Sequence, residues 1–148
     1  MANTQFTSVL AQAIKNILIT NQTNLGLKAV LYGNHTMLPV SPLAVVIPAP
    51  KHRELQGVGG PGGRTLITIA VYVDVLSSKV GDESIERLAL DQLAERIEDL
   101  LHNDVTVGGL VIHGFVTDWV PGETTVPQGG EYRTVRLTFA GVSKLQLT

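Results

Sequence analysis

The run Gly57-Val58-Gly59-Gly60-Pro61-Gly62-Gly63 is the first place to look for chemistry. It contains the spacing G-x-G-x-x-G. In a dinucleotide site that spacing follows a strand and opens a helix, so that backbone amides and the helix N-terminus meet a pyrophosphate. Here Pro61 lies inside the run, and the β-branched stretch 65–76 follows where a helix is needed. A P-loop fares no better: Arg64-Thr65 stands in the Lys-Ser/Thr place, but Val58 holds the first required glycine and again no helix follows. Five glycines in seven residues leave almost no side chain to bury, so a flexible hairpin tip is the plainer reading. A small nucleotide-binding domain built on residues 57–63 stays as the alternative.

Other catalytic chemistry finds little support. The histidines are His35, His52, His102 and His113, and no two are spaced i, i+4. His102 stands where a helix should end, a place that favours a cation. Ser41, Ser77, Ser78, Ser84 and Ser143 have no G-x-S-x-G setting. There are no cysteines, which excludes disulfides, thiolate metal sites and a thiol nucleophile. No metal, no cofactor and no enzymatic activity are expected. The residues left over are candidates for contact with a partner. Trp119, the only tryptophan, reads equally as core or as interface. Tyr72, Arg133 and Arg136 on strands, and Arg53 and Arg64 beside the glycine run, face either a partner or solvent.

The elements that carry these residues follow from periodicity. Residues 82–103 read as the longest helix, with apolar residues at Ile85, Leu88, Ala89, Leu93, Ile97, Leu100 and Leu101. Acids at its start suit the helix dipole, Asp82 is a plausible N-cap, and Glu83–Arg87 and Arg87–Asp91 are i, i+4 pairs. Its outer, acidic side reads as plain exterior. Residues 6–18 give a second amphipathic helix. Residues 65–76 are the clearest strand: Ile67, Ile69, Val71, Val73 and Val75 share one face, Ala70, Tyr72 and Asp74 the other. A short strand is expected among residues 25–37, and another over 43–47, bent or at an edge because prolines flank it. Residues 110–120 and 132–140 form a final pair, with Val135, Leu137 and Phe139 inward and a bulge at Gly141. Pro121-Gly122 should break the first of these, leaving 121–130 as a second mobile loop.

The order helix, strand pair, helix, strand pair defines an α+β domain. Its sheet is mainly antiparallel, built from two long hairpins and covered by both helices. The 148 residues fit one such domain spanning 1–148. A net charge of −2 argues against a strongly basic nucleic-acid surface. No run of about 18 apolar residues occurs, so no membrane span is expected. The first residues lack a basic region ahead of an apolar run, so no signal peptide is expected and the protein is placed in the cytoplasm where it is made.

This pattern resembles the tail terminator, or tail completion, proteins of long-tailed phages. Three stretches carry the resemblance. They are the strand 65–76 running into helix 82–102, then Gly109-Leu110-Val111-Ile112-His113, and the final strand from Tyr132 to Phe139. The resemblance implies a structural virion protein at the head-proximal end of the tail. Such a protein forms a ring, commonly a hexamer, that stops growth of the tail tube and docks the head connector, with DNA passing through the lumen unbound. It implies no catalytic residue. Another head-tail junction or tube component is the nearest alternative.

Overall fold

In a computed structural model the structure describes residues 7–33, 41–49, 52–56, 64–79, 81–111, 113–126 and 130–144, with the backbone alone for 52–56, 64–68, 126, 143 and 144. The elements are α1 (Thr7–Thr20), α2 (Gln22–Leu25), β1 (Ala29–Tyr32), β2 (Leu43–Pro48) and β3 (His52–Gln56). They continue as β4 (Arg64–Ser78), α3 (Glu83–Leu101), β5 (His113–Val126) and β6 (Gly130–Lys144). The strands form one sheet in the order β1-β2-β4-β6-β5, and β3 continues along the flank of β4 that β2 occupies. All pairings are antiparallel except β1 with β2. The expected α+β class holds.

Alternation in β4 sets the layers. Ile69, Val71, Val73 and Val75 are buried on one face, joined by Ala44 and Val46 of β2 and by Val135, Leu137 and Phe139 of β6. Leu10, Ala11, Ile14 and Leu18 of α1 and Leu90, Leu93, Ala94, Ile97 and Leu101 of α3 close over that face. Each buried valine, leucine, isoleucine or phenylalanine among them contributes about 1.5–3 kcal/mol. The opposite face carries a smaller cluster of Leu43, Val45, Leu76 and Tyr132.

Several expectations are corrected. β2 is an inner strand, paired on both sides, because its Pro48 falls at its last position rather than in the middle of the ladder. Pro121-Gly122 does not end β5. The strand runs on to Val126 opposite β6, and the expected loop 121–130 is strand except for residues 127–129, which lie outside the described residues. β5 is the sheet's edge, so Pro121 can face outward without removing a ladder bond. The bulge lies between Val116 and Asp118, not at Gly141, which keeps register with both Ile69 and Gly114. Gly141 is small for another reason: a Cβ there would stand 2.9 Å from Val111 Cγ1. The expected loop 57–63 lies outside the described residues.

The largest correction concerns α3. Its cap is as expected, with Asp82 Oδ1 accepting from the Ile85 amide at 3.2 Å. Its buried stripe, however, is centred on Leu90, Leu93, Ala94, Ile97 and Leu101, and leaves Ile85 71% and Leu88 59% exposed. At about 100° per residue, Leu88 lies roughly 160° around the helix from Leu90. Both cannot face one sheet.

Candidate functional site

Among the described residues, the chemistry that can be built up is that of surfaces. On the sheet face away from the helices, β4 and β6 place Asp74 opposite Arg136. The two meet in a fork: Arg136 Nε donates to Asp74 Oδ1 at 2.7 Å and Nη2 to Oδ2 at 2.9 Å. The guanidinium also lies over the Tyr72 ring, 4.4 Å from its centre. The carboxylate holds Arg136 above its ordinary pKa. Planar forks of this kind fix orientation as well as charge. Beside them Phe115 and Val120 of β5 stand on the same face, 51% and 55% exposed. A shallow groove runs between Asp74, Arg136, Thr134, Leu76, Val120 and Gly122. Tyr72 and Arg136 therefore share the sheet face that the helices leave uncovered.

Arg133 does not. It shares the inward parity of Val135, is only 5% exposed, and pairs with Glu86 in the first turn of α3. The expectation that it faces outward is overturned: a carboxylate delivered by the helix meets its Nη1 inside, while its buried Nε has no hydrogen-bond partner. Arg87 is likewise absorbed. It donates to the carbonyls of Thr134 at 3.0 Å and Gly122 at 3.2 Å, rather than to the acids four residues away. Arg96 donates to the Leu25 carbonyl at 3.3 Å. Both arginines of α3 thus fasten the helix to its own chain.

The far end of α3 is fastened differently. His102 is the C-cap, and its Nε2 accepts from the Val116 amide at 3.0 Å, beside the β5 bulge. The imidazole thus binds the sheet edge instead of serving only the helix dipole. The turn that follows is organised by Asp104. Its Oδ1 accepts from Thr106 Oγ1 at 2.7 Å and from the Thr106 amide at 3.0 Å, and Oδ2 from the Gly108 amide at 2.8 Å. The Thr106 hydroxyl and then these amides hold Asp104 below its ordinary pKa. Val107, Gly108 and Gly109 all take positive φ, and the buried Val107 side chain anchors the turn.

Trp119 lies on the helix side of edge strand β5, opposite Leu137, and is 36% exposed. It is part packed and part open. Arg53 sits in β3 opposite Ile67, and Arg64 in β4 opposite Gln56. Their side chains lie outside the described ones. Among the described residues no three His, Cys, Asp or Glu side chains are grouped to hold a metal. No helix among them is long and apolar enough to cross a membrane.

Sequence reading missed the exposure of Ile85, Leu88, Phe115 and Val120. The helix residues had a usable signal in their angular positions around α3. The strand residues had none, because exposure on a sheet face depends on what covers it.

No family model matches the chain, and no curated protein matches it either. Among solved structures, the chain is similar to one from the virion of a native gene transfer agent particle. The two align with a TM-score of 0.54 at 14% identity, over 90% of this chain and 93% of that one. The chain therefore shares its fold with a virion protein across nearly the whole length of both.

Proposed function

We propose that this chain is a structural protein of a phage-type virion. In this reading it forms a ring, commonly a hexamer, at the head-proximal end of the tail tube, halts tube growth and offers the docking surface for the head connector. The observation that carries the structural role is the near end-to-end fold likeness to a chain of a gene transfer agent virion. The tail terminator role rests on the resemblance of the helix-hairpin-helix-hairpin order. Support for assembly comes from the accessible Tyr72–Arg136–Asp74 face, the exposed Phe115 and Val120 beside it, and two hairpins whose ends lie at opposite ends of the sheet. The partners are further copies of the chain, the tube protein and the connector. DNA crosses the lumen without specific binding, and no catalysis takes place. The protein is made in the host cytoplasm and ends in the virion tail.

Light scattering on a size-exclusion column and negative-stain imaging, with and without purified tail tubes, test this reading. Single closed rings, free or capping one tube end, are the expected result. A chain that stays monomeric at high concentration and leaves tubes uncapped refutes it. The same likeness fits another component of the junction or tube, and long stacked filaments in the images would select the tube subunit instead.

A further inference from the structure

Strand β5 is an edge of the sheet, and it is long. Its 14 residues compare with about 5–6 in an ordinary strand. Among the described residues no strand pairs with its outer flank. Large apolar side chains stand exposed along it on both faces: Phe115 and Val120 away from the helices, Trp119 on their side. A free edge presents a row of unpaired amides and carbonyls, to which a second chain can add as a further strand. Length and exposed apolar side chains both favour that addition.

Four features spaced along β5 work against it. The Val116 amide donates to His102 Nε2 at 3.0 Å, so it is spent on an imidazole and is closed to an incoming carbonyl. That imidazole is not needed to end α3, because the His102 amide already donates to the Glu98 carbonyl at 3.0 Å and the Asn103 amide to Leu100 at 3.2 Å. Thr117 is skipped in the pairing with β6: Val116 stands opposite Phe139 and Asp118 opposite Thr138. A bulge of this kind bends the strand and breaks the even spacing a partner needs. Pro121 has no amide to offer. Glu123, held by Lys79 Nζ at 2.5 Å, puts a charged pair on the strand. Bulges, prolines and charges are the means by which natural sheets keep their edges from pairing. Here they fall at 116, 117, 121 and 123, so no more than three consecutive residues of His113–Val126 lie free of one.

We propose that β5 is a closed edge, on which His102 and Pro121 keep a second copy of this chain from extending the sheet. His102 is a guard that α3 sets on the edge of the sheet it covers. Pro121 denies the next stretch a donor, and the bulge between them spoils the register. Phe115, Trp119 and Val120 can then stay exposed without recruiting the strand of a neighbour. Copies of the chain meet through their side chains and not by joining their sheets at β5. This device is independent of the ring reading, since a guarded edge is of use to a monomer and to a ring alike.

The test removes the guards from the full chain. His102→Leu/Pro121→Thr frees the Val116 amide and supplies an amide at 121. Circular dichroism and urea unfolding first check that the variant is folded, as substitutions at exposed positions should leave it. Sedimentation velocity, the intermolecular sheet band in the infrared spectrum and thioflavin T binding then compare it with the unmodified chain. The variant is expected to associate beyond the unmodified chain at about tenfold lower concentration, with the sheet band present, since each main-chain hydrogen bond gained adds to the contact. Amide hydrogen exchange across 116–125 should slow in the associated form. His102→Gln/Pro121→Thr, whose glutamine oxygen can again accept from Val116, should lose part of that association, and no loss overturns the role of His102. A merely structural histidine predicts a lower melting temperature with no new association. A folded double variant with the mass of the unmodified chain overturns the proposal, as does association that leaves the β5 amides exchanging as before. Should the double variant unfold, Pro121→Thr alone takes its place, with a smaller rise expected and unchanged association overturning the proposal. The ring reading is decided separately, by the mass of the unmodified chain.

Discussion

Replacing Leu93 by aspartate should unfold the domain, whereas the same change at Leu88, five residues earlier on the same helix, should not. Leu93 is buried in the core cluster between α3 and the sheet. Truncating a buried leucine to alanine costs about 2–5 kcal/mol. Aspartate adds a carboxylate that must either ionise without a partner or take up a proton, a further cost of several kcal/mol. The total, on the order of 5–8 kcal/mol, rivals the 5–15 kcal/mol stability typical of a domain. Leu88 is 59% exposed, so most of that cost does not arise there, and a change within about 1 kcal/mol is expected. Urea titration followed by circular dichroism, with the fluorescence of Trp119 as a second probe, measures both. Leu93→Asp should be unfolded, or nearly so, before denaturant is added. Leu88→Asp should keep its midpoint. A native-like midpoint for Leu93→Asp would refute the helix-on-sheet packing, and equal collapse of the two variants would refute the assignment of Leu88 to the outer side.

Other perturbations follow from the same geometry. Gly114→Val should lower the melting temperature, because a Cβ at Gly114 would fall 2.6 Å from Phe139 Cζ in the core; overpacking of this kind costs about 1–3 kcal/mol, measured by thermal scans. Glu86→Ala should destabilise by about 2–4 kcal/mol in urea, since it leaves the buried Arg133 guanidinium without its carboxylate, while Glu95→Lys on the outer side should stay within about 0.5 kcal/mol. Asp104 has its pKa lowered in the folded state by Thr106 and the amides around it, so its contribution is complete above the unfolded value near 4 and fades as pH falls through the lower folded value. Asp104→Asn should therefore flatten the acid end of a stability-against-pH curve, and an unchanged slope below about pH 4 would remove Asp104 from the account.

Much of the fold was legible because backbone periodicity is local. The alternation through β4 and β6, the Asp82 cap and the length of α3 are properties of neighbouring residues, and each appears in the structure close to where the pattern put it. Pairing partners are not local. β2 carries the proline signature of an edge strand, yet β1 lies against it in parallel, a pairing that depends on residues more than ten positions apart. Pro121 failed as a breaker for the converse reason: only a proline in an inner strand must end the ladder, and β5 has a free side. Arg133 and Arg136, three residues apart on one strand, look alike in sequence. Strand parity sends one to Glu86 under the helix and the other to Asp74 and Tyr72 in the open.

The helix α3 shows where exposure escaped the sequence reading. Its apolar residues form too wide an arc for one sheet, and a reading that assigns all of them to the core spends residues the core cannot reach. Leu90, absent from the expected stripe, is buried, while Ile85 and Leu88 are turned away from the sheet. The acids that make this side look like ordinary solvated surface are the residues that isolate those two side chains on it. The arginines that would neutralise the acids are held by the chain's own carbonyls. Ile85 and Leu88 therefore contribute little to the packing of α3 on its sheet, and the outer side first read as plain acidic exterior holds two apolar side chains that the fold itself does not use.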